Sequence, residues 1–267
     1  ISQKEANLLP WKDLDIDVVV ESTGAFTSFE KAKVHVEAGA KRVVITAPAK
    51  DAPIDETQAT VLMGINDEKL EKTQVSSNAS CTTNAGSPLM QILHEKIGIE
   101  KAILNTVHGY TASQSIVDGP NKKDWKEGRA AAQNIVPTST GAAIAVTKAI
   151  PDLQNKFDGI SMRVPVVSGS IADITFIAKR NTSVEEINNI LLEAAKDKRW
   201  EGIFTATNDP IVSSDIVGSL YGSIADLGLT RVVDGNLVKV CAWYDNEMGY
   251  TATLLKHVMK LGQHIKN

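Results

Sequence analysis

Within thirty residues the chain passes from a β-branched run, Asp17-Val18-Val19-Val20-Glu21, through a helical stretch to a second apolar run at Arg42 to Ala47. Strands that apolar over so few residues bury both faces, and two of them joined by a helix form a parallel pair with a crossover. Ser22, Thr23 and Gly24 supply the turn after the first run. Thr27 and Glu30 have capping-box spacing, Phe29, Ala32, Lys33 and Val36 form the helical stripe, and Gly39 stops it. Pro48 ends the second strand, and Ala59 to Ile65 reads as a third. The first 80 residues therefore predict an α/β parallel sheet.

The pattern changes after Cys81. Residues 82 to 97 read as helix, closed by Gly98, and Ala102 to Val107 as strand. From Gly109 to Ser139 the chain is polar with little periodicity, and a loop that long is usually functional or disordered. A small-residue helix follows at Gly141 to Ile150, then strands at Ser161 to Pro165 and Ile171 to Lys179. Thr182 and Glu185 have the spacing to cap a helix that runs to about Lys196. Thr230 to Val240 reads as a hairpin around Asp234-Gly235-Asn236. Glu247 to His264 reads as a terminal helix with Leu254, Leu255, Val258 and Leu261 on one side. Long strands with few crossovers imply a mostly antiparallel sheet in this second block. The expected organisation is a parallel-sheet domain over 1–80, completed by the helix 247–267, and an α+β domain over 81–246.

Composition narrows the function. The 28 basic and 32 acidic residues leave a net charge of −4, which argues against a nucleic-acid or anionic-membrane role. Two cysteines are too few for a disulfide-stapled secreted fold, so a reduced, cytoplasmic setting is expected. No apolar run reaches the roughly 18 residues of a membrane span. No signal-peptide pattern opens the sequence, whose first residue is Ile1 rather than Met.

Cys81 falls between a strand and a helix. The free N–H groups and dipole of a helix N-terminus favour a thiolate and can hold an oxyanion. A small buried cysteine that merely packs would look the same. Cys241, in Val-Lys-Val-Cys-Ala-Trp, has a strand pattern and reads as inert core. His108 follows the strand Ala102 to Val107, where it could serve as a base or be a satisfied structural histidine. The other four histidines, His35, His94, His257 and His264, lie in helical patterns and read as surface or packing residues. Ser80, Thr82, Thr111, Thr140, Gly141 and Arg163 have the chemistry of a phosphate site. Thr140 could equally cap its helix and Arg163 form an ion pair.

Five longer stretches bear on these residues. They are Glu-Ser-Thr-Gly-Ala-Phe-Thr at 21–27, Ser-Asn-Ala-Ser-Cys-Thr-Thr-Asn at 77–84 and His-Gly-Tyr-Thr at 108–111. The others are Arg-Ala-Ala-Ala-Gln-Asn-Ile-Val-Pro-Thr-Ser-Thr-Gly-Ala-Ala at 129–143 and Trp-Tyr-Asp-Asn-Glu-Met-Gly-Tyr at 243–250. In content and order they resemble the phosphorylating glyceraldehyde-3-phosphate dehydrogenases.

The resemblance implies Cys81 as nucleophile and His108 as its base. It implies Thr111 and Arg163 on the substrate phosphate, and Ser80, Thr82, Thr140 and Gly141 on inorganic phosphate. Ser22, Thr23, Gly24, Phe26, Thr46 and Ala47 would line NAD, with Asn246 on the nicotinamide carboxamide and Tyr250 near its ring. The implied substrates are glyceraldehyde 3-phosphate and inorganic phosphate, and the implied assembly is a homotetramer. The loop from about Tyr110 to Arg129 would border a neighbouring subunit's cofactor site.

The sequence departs from the family pattern at its front. It has no Gly-x-Gly-x-x-Gly turn and no acidic residue for the adenosine ribose. Relative to the family, the first mononucleotide-binding half, on the order of 70 residues, is missing. The expectation is a piece of a longer chain, because the remaining sheet would present an apolar parallel edge. A naturally truncated, non-catalytic homologue is the competing reading. Gly119-Pro120 resembles NAD-preferring members, while Thr111-Ala112-Ser113 lacks the acidic third residue of some bacterial relatives. Erythrose-4-phosphate dehydrogenase is the near enzymatic rival. A water-deacylating aldehyde dehydrogenase would need a carboxylate base, and none stands out near Cys81.

Overall fold

A computed structural model describes residues 1–122 and 124–265. Lys123 of the expected 110–129 loop, and Lys266 and Asn267 of the expected terminal helix, lie outside the described residues. The strands are β1 Val18–Glu21, β2 Arg42–Ile45, β3 Gln58–Thr60, β4 Val75–Ser77, β5 Ile99–Gly109 and β6 Val136–Ser139. They continue with β7 Phe157–Val164, β8 Ser170–Ala178, β9 Phe204–Thr207, β10 Ser223–Asp226, β11 Arg231–Val233 and β12 Leu237–Tyr244. The helices are α1 Phe29–Ala32, α2 Val34–Glu37, α3 Cys81–Ile97, α4 Ala142–Ala149, α5 Val184–Ala194 and α6 Met248–Gln263. Contacts divide the chain into one unit of 1–80 with 254–267 and another of 81–253.

In the first unit β1-β2-β4-β3 form a wholly parallel sheet. Its core is Phe29, Ala32, Val43, Ile45, Ala49 and Val75. β1 is an edge strand, and Val20 is 40% exposed. The cap of α1 is Ser28 rather than Thr27, its side chain accepting from Lys31 N–H, and Asp51 takes the Phe29 and Glu30 N–H groups. Spacing alone put the cap one residue early, and Asp51, from far along the sequence, takes two further first-turn N–H groups. Gly39, at φ +108°, ends α2, and an added Cβ there would come within 2.4 Å of Lys12 Cβ.

The third apolar run is strand only at Gln58–Thr60. Asn66 accepts from Leu62 N–H and donates to Thr60 O, bending Val61, Leu62 and Met63 into the core as irregular chain. On α6 the fully buried positions among the described residues are Thr253, His257 and Leu261, whereas Leu255 is 57% exposed and does not join the packed face.

The second unit carries a mostly antiparallel sheet ordered β6-β7-β5-β8-β12-β10-β9, with β11 beside β12. Among the described residues of this sheet, only the strand pairs β5/β7 and β10/β9 are parallel. β6 lies in what reads as loop by sequence. Pro137 hides it, yet Pro is tolerated because β6 is an edge strand. The cap of α5 is Ser183 rather than Thr182, whose hydroxyl donates to Glu186 instead. β9 and β10 have no counterpart in the sequence reading.

Register sorts the inner face of β5, β8 and β12 into rows. Ala102, Phe176 and Val238 form one row, and Leu104, Ile174 and Val240 the next. Thr106, Ala172 and Ala242 follow, and His108, Ser170 and Tyr244 close the series. The face thus runs from large apolar through small to polar. α3 lies against it, with Gly86 beside Ile174. No helix among the described residues is long and apolar enough to cross a membrane.

Candidate active site

The turn into α3 sets the site. β4 ends at Ser77, and Ala79 adopts φ +55°, a left-handed conformation that costs a non-glycine residue about 1 kcal/mol. Ala79 is fully buried and donates its N–H to Ser77 Oγ, so the surroundings hold it there. Two residues on, Cys81 is the first residue of α3, half-buried. Burial pushes its thiol pKa up, while the Thr82 N–H and hydroxyl and the Arg163 charge act in the opposite direction.

Cys81 Sγ lies 3.4 Å from His108 Nε2. His108 is 3% exposed, at the polar end of the β5 inner face. Its Nδ1 is 2.6 Å from Gly109 O and 2.5 Å from Arg163 Nη1. Arg163 sits opposite His108 in the β5/β7 register, and its Nη1 also donates to Gly109 O at 3.3 Å. Arg163 Nε is buried and meets no acceptor among the described residues. Burial first, then the Arg163 charge, lowers the His108 pKa to about 4. A neutral imidazole facing a thiol across a hydrogen-bonding distance has the geometry that a base and nucleophile pair requires.

Tyr244 belongs to this group although sequence reading gave it no role. Its hydroxyl lies 2.7 Å from Thr82 Oγ1 and 2.8 Å from Thr106 Oγ1, and its ring stands edge-on to His108 with centroids 5.8 Å apart. Burial pushes its pKa up. The signal was available: Thr106 and His108 share a face by strand alternation, and Tyr244 sits inside a quoted motif. What was missing was the register that aligns β12 with β5 through β8.

Asn246 is anchored by its oxygen, which accepts from Gly169 N–H and Ser170 Oγ, so the group it presents is its NH2. Asp245 beside it gathers the N–H groups of Gly218, Glu247 and Met248 and the Ser168 hydroxyl. Burial opposes its charge, but these donors outweigh burial and hold its pKa below the usual carboxylate range. Tyr250 follows on α6, half-buried.

The structure does not gather every candidate. Thr111 lies two residues past the end of β5 and bonds to Ser113 and Gln114. Thr140 accepts from Ala142 N–H at the start of α4, the capping role that its sequence position allowed. Neither Thr140 nor Gly141 has a described hydrogen bond to Cys81, His108 or Arg163. Ser139 stands opposite Ile160, three residues from Arg163 along β7. Ser80 directly precedes Cys81. In the first unit, Ser22, Thr23 and Gly24 follow β1, and Thr46 and Ala47 follow the adjacent β2, all at strand carboxyl ends. Glu21 accepts from the Thr23 N–H and hydroxyl and, through its backbone oxygen, from Thr46. Phe26 lies edge-on to His35, 5.4 Å between centroids. His35 itself is buried between Trp11 and Glu21.

A half-buried thiol facing a buried imidazole at the head of a helix, with a parallel α/β unit elsewhere in the chain, has the layout of an enzyme of α/β class. Residues 80–246 match the family described as glyceraldehyde 3-phosphate dehydrogenase, C-terminal domain. The chain is 49% identical over 258 residues to glyceraldehyde-3-phosphate dehydrogenase of Mycobacterium avium, covering 96% of this chain and 74% of that protein. It is 48% identical over 260 residues to the Clostridium acetobutylicum enzyme, covering 96% and 75%. It is 45% identical over 254 residues to glyceraldehyde-3-phosphate dehydrogenase B of Aspergillus oryzae, covering 95% and 74%. The chain belongs to the glyceraldehyde-3-phosphate dehydrogenase family, and is an enzyme of that kind.

Proposed function

We propose that this chain oxidises D-glyceraldehyde 3-phosphate to 1,3-bisphosphoglycerate, with NAD as cofactor and inorganic phosphate as second substrate. The observation that carries the reading is Cys81 Sγ at 3.4 Å from His108 Nε2, with Arg163 beside the histidine.

His108 takes the Cys81 proton, and the thiolate attacks the aldehyde carbon to give a thiohemiacetal. The N–H groups at the head of α3 face the oxygen that becomes charged, as an oxyanion site requires. NAD, when bound, supplies the acceptor for the hydride that the carbon gives up. The Cys81 thioester then loses its acyl group to phosphate, and the product retains the bond energy that water would dissipate. Thr111 and Arg163 hold the substrate phosphate. Ser80, Thr82, Thr140 and Gly141 hold the attacking one. The unsatisfied, buried Arg163 Nε supports an anion at this place.

The residues present fit NAD. Ligands of open α/β sheets bind outside the strand carboxyl ends, where Ser22, Thr23, Gly24, Phe26, Thr46 and Ala47 lie. Gly24 has φ +76° with open space around it. Asn246 offers the NH2 that a carboxamide oxygen accepts, and Tyr250 is one helical turn further on. The whole assembly is a homotetramer in this reading. Ile103, Ile160, Val233 and Leu237 stand exposed on strands of the second sheet, an apolar surface that self-association would cover. The setting is cytoplasmic.

The test is NADH formation by purified protein with glyceraldehyde 3-phosphate, with and without inorganic phosphate. Phosphate-dependent turnover supports the proposal. Phosphate-independent turnover would mean water deacylates the thioester, and preference for erythrose 4-phosphate would reassign the substrate.

A further inference from the structure

α6 carries a histidine at a position where an apolar residue would pack without desolvating a polar group. His257 is fully buried, as is Leu261 one turn further along the same helix. A buried imidazole needs hydrogen bonds to offset the water it has lost. His257 has two partners. Its Nε2 lies 2.8 Å from Ser76 Oγ, and its Nδ1 lies 3.1 Å from Asn78 Oδ1. An amide oxygen only accepts, so the ring proton sits on Nδ1 and is donated to Asn78. Nε2 is then the acceptor, and Ser76 donates its hydroxyl to it. Burial lowers the His257 pKa to about 4, and Asp67, whose charge acts on the ring, is itself paired with Lys260 at 2.6 Å.

The residue that His257 holds stands at a sensitive place. Asn78 is the first residue past β4 and directly precedes the left-handed Ala79. Cys81 opens α3 three positions after it. A non-glycine residue keeps a positive φ only where its surroundings fix it. Ser77 Oγ donates to Ala47 O and accepts from Ala79 N–H, and Asn78 N–H donates to Ile45 O. Those bonds tie the turn to β2 and the residues that follow it. The His257 donation ties the Asn78 side chain to α6.

We infer that His257 is a positioning residue for the nucleophile: its Nδ1–H holds Asn78, and through Asn78 the turn that keeps Cys81 at the head of α3. This rests on the reading of Cys81 as the nucleophile. His257 touches neither substrate nor reacting atoms. Without its donation the strained turn relaxes and the first turn of α3 frays. The Cys81 thiolate then loses part of the N–H and dipole field that favours it. Packing alone and positioning order the substitutions differently. Leucine keeps apolar volume and removes the donor. Asparagine is smaller, yet its NH2 stands where Nδ1–H stood.

The experiment is iodoacetamide alkylation of Cys81 from pH 6 to 10, followed by mass spectrometry of the modified peptide. It compares the parent with His257→Leu, His257→Asn and Ser76→Ala, each first shown to be folded by near-ultraviolet circular dichroism. His257→Met is the second donor-free variant should leucine not fold. Cys241, buried and with its thiol pushed up to about 12, stays out of the reaction. Below the parent's midpoint His257→Leu should react about two- to fivefold more slowly, with its midpoint moved up and the rates converging at high pH. His257→Asn and Ser76→Ala should keep the parent's midpoint, although the smaller asparagine lowers the urea midpoint. An unmoved or lowered midpoint in the donor-free variant overturns the positioning role. So does a midpoint that moves as far in His257→Asn or Ser76→Ala, which is what packing alone would give. The alkylation needs neither cofactor nor substrate. Absence of NADH formation by the parent therefore overturns the nucleophile reading separately and leaves the alkylation profile to decide the hold on the turn.

Discussion

Acid should weaken this fold through two buried histidines, and His257 is the cleaner one to perturb. It is fully buried on α6, with Nε2 2.8 Å from Ser76 Oγ and Nδ1 3.1 Å from Asn78 Oδ1. No carboxylate among the described residues hydrogen-bonds to it, so protonation would bury an unpaired charge, and its pKa falls to about 4, chiefly through burial. His108 also falls to about 4. An unfolded histidine titrates near 6.5, so each group spans about 2.5 units, or on the order of 3 kcal/mol at about 1.4 kcal/mol per unit. Below pH 6.5 the unfolded chain binds protons that the folded chain refuses. Stability is therefore full above about 6.5 and drains as pH falls towards 4. With two such groups the slope is about 2.7 kcal/mol per pH unit in the middle of the window, and about 1.4 in His257→Gln. The assay is urea unfolding from pH 8 to 5, followed by near-ultraviolet circular dichroism. It stops at 5 because Asp55, Asp118, Glu186 and Asp245, all shifted downward, titrate lower. A flat profile between pH 7 and 5, or the same slope in the variant, would refute the reasoning.

Three further outcomes follow from the same geometry. Cys81→Ser should reduce dehydrogenase turnover by at least about a thousandfold, since a hydroxyl with no comparable acidity replaces the thiolate, while urea unfolding stays within about 1 kcal/mol of the parent. Tyr244→Phe leaves the Thr82 and Thr106 hydroxyls without their shared partner; it should cost about 1–3 kcal/mol in denaturant titration and raise the KM for inorganic phosphate more than it lowers kcat. Asp51→Ala strips two N–H groups at the head of α1 of their acceptor and should cost about 0.5–2 kcal/mol, measurable as a lower urea midpoint.

What could be read from the sequence was whatever depends on neighbours along the chain. The parallel strands β1 and β2, the long helix α3 opening on Cys81, and the hairpin of β11 and β12 are all local patterns, and the structure has them. The left-handed pair Asp234 and Gly235 in that hairpin is the kind of local chemistry that sequence carries. Reading failed where a distant partner replaces a local one. Asp51 caps α1 from more than twenty positions away, and Asn66 folds back to end β3 early. Pro137 reads as a strand breaker until β6 is known to be an edge. The site divides the same way. The placement of Cys81 at a helix start and of His108 near a strand end was legible, but Tyr244 needed the alignment of three strands, and the approach of Arg163 to His108 needed the β5/β7 register.

The two cysteines show why position along the chain, rather than residue type, localises the chemistry. Both thiols have pKa values raised by burial. Cys241 is pushed up to about 12, with Asp173 as the next cause, and its neighbours in the sheet are strand residues with no free N–H to offer. An anion there would gain nothing from the backbone and would be repelled by a carboxylate. Cys81 pays for burial too, yet every other influence on it, from the Thr82 N–H and hydroxyl to the Arg163 charge, favours the thiolate. The difference traces to Ala79. Its left-handed turn carries the chain from β4 directly into α3, so the residue two places on opens a helix instead of continuing a strand. About 1 kcal/mol of local strain thus selects which sulfur sits at a helix N-terminus. The inner-face row of His108, Ser170 and Tyr244 then brings an imidazole to that sulfur and not to Cys241, which pairs with Asp173, in a row on the opposite face of the sheet.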